Sequence, residues 1–223
     1  MPPSTRVPRH DAVILAGGRA TRLGGATKPL VEVAGRSLLQ RALDAAAGAD
    51  RIVVVGPVPV PPGVLSTVED PPFSGPAAGL AAGLAVLAGS AEPTPPRAAQ
   101  PSPAGPAPWT LVLAADVPRA ASAVPVLLSV AADDPPADGV CFHDAQSHPQ
   151  WMLAVYRSAS LRAAVATVIT TDLSMRRLLA PLTITTVPGD PSDIADCDTW
   201  QDVDAARARE GAAMGSTARK DRA

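Results

Sequence analysis

Lysine is nearly missing from this 223-residue chain. Of its 19 basic residues seventeen are arginine, and the two lysines are Lys28 and Lys220. Lys220 falls in the polar C-terminal stretch, so the body of the chain holds a single lysine. Cysteine is equally scarce. Cys141 and Cys197 are too few and too far apart for a disulfide framework or a zinc site, which leaves two reduced thiols acting as small apolar residues. Excess charge of either sign is also lacking: 19 basic residues face 21 acidic ones, for a formal net charge of -2 and a pI near 5.9. That balance argues against a general nucleic-acid binder, which carries a basic excess or stripe. No long hydrophobic run is present. The longest uncharged stretch, residues 71–91, is mostly Ala, Gly and Pro and is broken by Pro76, so it predicts a loop and a buried helix, not a membrane span. Residues 1–11 carry arginines and prolines without an apolar core. A cytoplasmic protein with no membrane partner is expected.

What is present is enough apolar residue, 47%, to bury a core. Short apolar runs at 11–16 (DAVILA) and 51–55 (RIVVV) break into glycine, the pattern of buried parallel strands. Further strands are predicted at 67–69, 109–114, 138–142, 151–156 and 182–187. Helices are predicted at 37–47, with Ser37 as N-cap, and from Gly75-Pro76 to Leu87 despite Gly79 and Gly83. Others are expected at 121–132, 158–168, 174–179 and 199–209. Residues 1–10 are expected to be flexible, 11–210 to form one domain, and 211–223 to be a disordered tail. Within the domain, 89–108 reads as a solvated, extended insertion with seven prolines between Pro93 and Pro108. Alternating strands and helices favour a mostly parallel sheet covered on both faces. Ligands of such sheets bind beyond the carboxyl ends of the strands.

The strongest local signal follows the first strand: Leu15-Ala16-Gly17-Gly18, then Arg22, Gly24-Gly25, and Lys28-Pro29. Four glycines permit close backbone approach and leave N–H groups free to face an anion. Arg22 offers phosphate a planar fork and Lys28 a compact point charge. The loop lacks the Gly-Lys-Ser/Thr step of a Walker A motif and the spacing of a dinucleotide fingerprint. A surface loop with solvated arginines is the plainer alternative.

The pattern LAGG-x3-R-x-G-x3-KP closely resembles the signature loop of the nucleotidyltransferases related to the molybdenum cofactor guanylyltransferase. The resemblance implies a Rossmann-like three-layer α/β/α sandwich with a mostly parallel twisted sheet. It implies that the loop backbone at Leu15, Ala16, Gly17 and Gly18 holds a nucleoside triphosphate, with Arg22 and Lys28 neutralising its phosphates. It extends from about residue 11 to 207, excluding the insertion.

Acidic residues after strands fit the same family. Asp116, in a D-x-P setting after strand 109–114, resembles its metal-binding aspartate and offers hard oxygen to Mg²⁺; capping the next helix is the plainer role. Asp196-Cys197-Asp198-Thr199-Trp200-Gln201-Asp202-Val203 resembles the family's N-x-N-T-P-E-D-L segment with aspartates at both asparagine positions. By that likeness Asp198 is a second metal ligand or its neighbour, and Asp196 faces the acceptor. An N-cap at Asp198 or Thr199 is compatible with both. Asp70 and Gly75, in a segment resembling D-x(n)-GPLAG, would lie along the nucleoside, with Asp70 on base or ribose or merely forming a turn. Gln150-Trp151 with Tyr156-Arg157 resembles an acceptor-side strand, where Trp151 either covers a flat pterin or joins the core. Ser174-Met175-Arg176-Arg177 places two cations near an acceptor phosphate or on a solvated helix face.

The expected activity is Mg²⁺-dependent transfer of GMP from GTP to the phosphate of Mo-molybdopterin, with Arg22, Lys28 and Asp116 carrying the chemistry. A CTP-using relative and a sugar-phosphate or other small-phosphate nucleotidyltransferase remain alternatives, as does a non-catalytic nucleotide-binding module. Gly56-Pro57, after the second strand, lacks the Asn expected of a typical guanylyltransferase. A monomer or weak homo-oligomer is expected.

Overall fold

The computed structural model describes residues 7–18, 27–89, 105–133 and 135–220. Arg22 and most of the Pro-rich insertion lie outside them.

Strands β1 (His10–Leu15), β4 (Ile52–Val55), β5 (Leu65–Thr67) and β6 (Trp109–Ala114) pair in parallel. With β7 (Gly139–His143), β8 (Pro149–Arg157) and β9 (Ile184–Pro188) they form one seven-stranded sheet of order β5-β4-β1-β6-β8-β7-β9. Only β8 runs against its neighbours. The sheet is therefore mostly parallel, as the alternation of elements predicts. The reversal of β8 has a functional consequence: its first residues lie at the same edge of the sheet as the last residues of β1 and β6.

Alternation along the strands sends side chains to two cores. Ala12 and Ile14 of β1 and Leu111 and Leu113 of β6 pack with α1 (Leu38–Ala45) and α3 (Ala120–Ala132) on one face. Val13 and Val112 pack with α2 (Pro76–Leu87), α4 (Ser158–Ala166) and α5 (Met175–Leu178) on the other. The result is the expected three-layer α/β/α sandwich. The predicted N-cap of α1 is present as a capping box, with Ser37 and Gln40 each binding the other's backbone N–H. Gly79 and Gly83, poor helix formers, have a packing reason in α2. A methyl at Gly83 would lie 2.7 Å from Val13 Cγ1, so the glycine lets the helix press onto the sheet.

Three elements escape the sequence pattern. Glu32–Val33 and Arg36–Ser37 form a two-stranded hairpin, β2 and β3, turned by Ala34 (φ 51) and Gly35 (φ 75). Lys28–Leu30 makes a 3-10 turn and Pro191–Ile194 a short helix, α6. A fourth differs in extent. The last helix, α7 (Trp200–Lys220), continues past the stop expected at Arg209 through much of the stretch expected as a disordered tail. Arg41 and Arg119 both bind Glu210, next to that expected stop, so ionic contacts fasten the helix at this point, while Arg119 also binds Asp193 of α6.

Both cysteines are buried and free. Burial pushes the thiol of Cys141 up to about 12 and that of Cys197 to about 11, which suits packing and not nucleophilic chemistry. No helix among the described residues is long and apolar enough to cross a membrane.

Candidate active site

The site is assembled at the carboxyl edge of the sheet by backbone hydrogen bonds between the ends of neighbouring strands. Ala16 N–H donates to Val55 O, Ala115 N–H to Leu15 O, and Gly56 N–H to Thr67 O, each at 2.8 to 2.9 Å. The start of the glycine loop is thereby locked between the ends of β4 and β6. Gly56 is required there. At φ +145 an added Cβ would sit 2.7 Å from both C and O of Ala16 and 2.9 Å from Gly17 N. Gly56→Ala is expected to cost about 2–3 kcal/mol of stability, read as a lower urea midpoint with an unchanged denaturant slope.

The segment carrying Asp196 and Asp198 reaches this edge from the far end of the chain. Cys197 N–H donates to Asp116 O at 3.0 Å, which pins the segment beside the end of β6. Thr199 and Asp202 form the cap of α7: Asp202 Oδ2 accepts from the Thr199 N–H and hydroxyl at 2.7 Å each, and Thr199 Oγ1 accepts the Asp202 N–H. The cap thus falls to Thr199, and Asp198 is left for the site. Cys197 itself faces inward, with Val33, Leu38 and Val203.

Lys28 is the meeting point. Its Nζ donates to Asp116 Oδ2 at 2.6 Å and to Asp198 Oδ1 at 2.5 Å. Burial opposes its charge, but the two carboxylates outweigh burial and hold the ammonium above the ordinary lysine range. Asp196, exposed nearby, is pushed the other way: partial desolvation, then repulsion from Asp116 and Asp198, raise its carboxyl, and Lys28 offsets only part of this. The 3-10 turn starting at Lys28 is what brings a loop residue to face acids from two distant segments.

Two cavities open at this edge. The first, about 360 Å³, is lined by residues that include Leu15, Gly17, Gly18, Glu69, Phe73 and Asp116. The second, about 540 Å³, includes Asp116, Gln150, Trp151, Ser174, Arg176 and Asp196 in its lining. Both have Asp116 in their walls, together with Gly75, Pro76, Ala114 and Met152. Asp116 therefore stands where the two spaces meet.

A glycine-loop cavity adjoining a second cavity, with an aspartate between them, agrees with the family to which the sequence matches. The model of the MobA-like NTP transferase domain matches residues 12–187. The chain belongs to that family.

Among relatives of this MobA-like domain is a curated protein from Rhodopseudomonas palustris (strain BisB5) named molybdenum cofactor guanylyltransferase. It is 38% identical over 149 residues, 64% of this chain and 65% of that protein. The match thus spans just under two thirds of that relative's length. Among solved structures, molybdopterin-guanine dinucleotide biosynthesis protein A from Archaeoglobus fulgidus aligns with a TM-score of 0.64 at 16% identity, covering 90% of this chain and 98% of that one. A 4-diphosphocytidyl-2C-methyl-D-erythritol synthase from Anaerococcus prevotii DSM 20548 aligns with a TM-score of 0.61 at 13% identity, covering 92% and 96%. These two share the fold.

Within the MobA-like domain, the residues singled out from sequence divide clearly. Leu15, Gly17, Gly18, Gly75 and Asp116 line the first cavity, and Ala16 lies buried behind it. Lys28, Asp116 and Asp198 are brought into contact. Gln150, Trp151, Ser174 and Arg176 line the second cavity. The other half of that strand does not reach it. Tyr156 is fully buried and donates its hydroxyl to Trp151 O, while Arg157 donates to the carbonyls of Ala137 and Pro135 and stacks 4.8 Å from the Trp109 ring. Asp70 is exposed, and its neighbour Glu69 is the acid in the cavity wall. Glu69 went unmarked in the sequence because two adjacent acids before Pro71-Pro72 carry no period that tells inside from outside.

Proposed function

We propose that this MobA-like domain is a Mg²⁺-dependent nucleotidyltransferase that moves GMP from GTP to the phosphate of Mo-molybdopterin and releases pyrophosphate. One observation carries the reading: Asp116, paired with Lys28, stands at the junction of two cavities, one bordered by the glycine loop and the other by Trp151 and Arg176. A transferase needs that arrangement, since donor and acceptor must meet at one point. The named relative from Rhodopseudomonas palustris supports the choice of donor and acceptor.

The donor occupies the first cavity, with its phosphates on the loop backbone after Gly17. The acceptor occupies the second, with its flat ring system beside Trp151 and its phosphate toward Arg176. An oxygen of the acceptor phosphate attacks the α-phosphorus, a new P–O bond forms, and the bond between the α-phosphorus and its bridging oxygen breaks. Pyrophosphate leaves with that electron pair. Lys28, with Arg22 from the same motif, balances the charge on the departing group, and the loop N–H groups hold it in place. No covalent intermediate on the protein is required.

The donor set fits magnesium. Asp116 and Asp198 already share one cation, the Lys28 ammonium, through an oxygen each. No group of three or more His, Cys, Asp or Glu able to hold a metal by itself occurs among the described residues. Mg²⁺ usually takes one or two carboxylates and completes its shell with water and substrate phosphate. Bound there, it supplies charge neutralisation to the phosphates.

Pyrophosphate release is expected with GTP, Mg²⁺ and molybdopterin together, and at background when the acceptor or Mg²⁺ is omitted. Failure of GTP, CTP, ATP and UTP alike to release pyrophosphate with the acceptor present overturns the enzymatic reading.

A further inference from the structure

Lys28, Asp116 and Asp198 come from three segments far apart in the chain, and a second set of charges ties the same segments together behind the cavities. Its centre is Arg119, which follows Asp116-Val117-Pro118. Arg119 Nε donates to Asp193 Oδ1 at 2.8 Å, and its Nη1 donates to Glu210 Oε1 at 3.0 Å. The other oxygen of Glu210 accepts from Arg41 Nη1 at 3.2 Å. Arg41 donates in addition to Pro118 O at 3.3 Å and, through Nε and Nη2, to Val33 O at 3.1 and 2.8 Å. All four side chains are partly buried, between 13% and 27% exposed.

The helix α6 ends at Ile194 and α7 begins at Trp200, so residues 195–199, with Asp196 and Asp198 among them, bridge two helices. Asp193 lies on the helix before the bridge and Glu210 on the helix after it, and one guanidinium grips both. Arg41 extends the array to β2, which follows Lys28, and to the turn after Asp116. Among the described residues, none of these four lines either cavity, whereas Val117 and Ile194, close to Arg119 and Asp193 in the chain, line the second. The array therefore braces the wall from behind. A brace is needed there. Two carboxylates about one cation repel each other, and Mg²⁺ demands near-ideal geometry from the oxygens that hold it. The backbone bond from Cys197 N–H to Asp116 O joins the two segments at a single point.

We propose that Arg119, through Asp193 and Glu210, is the positioning residue that holds Asp198 against Asp116 at the separation a shared cation requires. The inference rests on the nucleotidyltransferase reading and adds to it the group that sets the spacing of the two acids. The chemistry of the side chain suits the role. A guanidinium carries several donors in a rigid fork and can engage carboxylates on two helices at once, whereas an ammonium is a point charge on a flexible stem. An isolated surface ion pair adds little to stability. A linked set of pairs between separate segments restricts instead where those segments can sit, which is what a pair of cation-holding acids needs from its support.

Arg119→Gln removes the charge and the fork together, and two measurements read the result. In amide hydrogen exchange followed by NMR, the Cys197 N–H is expected to exchange about 10-fold faster. The Ala16 and Ala115 N–H groups, bonded at the same edge of the sheet, are expected to keep their rates. The second measurement is binding of Mn²⁺, as a probe for Mg²⁺, to the GTP-loaded protein without acceptor, read from the EPR signal of the free ion. Mn²⁺ affinity is expected to fall about 10-fold, with GTP affinity at saturating Mn²⁺ within about twofold of the natural protein. Arg119→Lys, which keeps the charge and loses the fork, is expected to fall between the two. Glu210→Gln weakens both arginine contacts, is expected to show the pattern of Arg119→Gln, and serves if that variant does not fold. Arg51→Gln is the control. It breaks the pair with Asp11 at the opposite edge of the sheet, and is expected to lower the melting temperature without changing Mn²⁺ affinity. If either readout keeps its natural value in both Arg119→Gln and Glu210→Gln, or if Arg51→Gln weakens Mn²⁺ binding equally, the positioning role is overturned and the transferase reading stands. Both readouts as expected, with no transfer to any acceptor, overturn the transferase reading alone. A natural protein that binds no Mn²⁺ with GTP overturns both.

Discussion

Asp116→Asn is expected to lower the rate of pyrophosphate release by about 10²–10³-fold while the melting temperature stays within a few degrees. The variant keeps the size of the side chain and one carbonyl oxygen but removes the charge at the junction of the two cavities. The fold has little reason to respond. The side chain is a quarter exposed, its ion pair with Lys28 is partly solvated and worth at most about 1 kcal/mol, and the structural bond at this residue, from Cys197 N–H to Asp116 O, uses the backbone and survives. Stopped turnover with intact melting, together with GTP binding that no longer responds to Mg²⁺, places the residue in the chemistry. Unchanged turnover removes Asp116 from the metal and the reaction alike.

Lys28→Arg is expected to reduce turnover about 10- to 100-fold although the positive charge is kept. The ammonium sits between two carboxylate oxygens at 2.6 and 2.5 Å, at the start of a tight 3-10 turn. A compact charge with three rotatable donors fits that space and can turn from carboxylate to phosphate, whereas a guanidinium is wider and commits its donors to one plane. Steady-state kinetics separate the outcomes. A fall in kcat with little change in KM for GTP marks a group that acts on the departing pyrophosphate. Turnover within twofold of the natural protein shows that any cation serves, and that the scarcity of lysine has no functional meaning.

Much of this arrangement was legible without a fold. Residues 109–114 read as a strand because a buried parallel strand is apolar on both faces, and β6 has those bounds. The glycine loop and Lys28-Pro29 stood out because four glycines directly after a buried strand, followed by the one lysine of the body, form a signal that needs no tertiary context. Ser37 announced the start of α1 because a capping box is complete within four residues. Each of these signals is local: the groups that make it lie within one turn or one strand of each other.

The hairpin β2–β3 gave no such signal, since its turn uses Ala34 in a conformation that favours Asn or Gly. The last helix passes its predicted end at Glu210, where arginines from α1 and from the residue before α3 reach it, a contact between segments far apart in the chain.

The amino-acid order by itself determined the layer architecture, the glycine-rich loop and the acids at strand ends, all of which follow from periodicity and backbone stereochemistry. Tertiary structure alone decided between neighbours. It gave the helix cap to Thr199 and left Asp198 to Lys28, put Glu69 in the cavity wall and Asp70 in solvent, and split β8 into a cavity end and a core end. One residue along a strand or loop reverses the face a side chain takes, and only packing against distant segments selects which face looks inward.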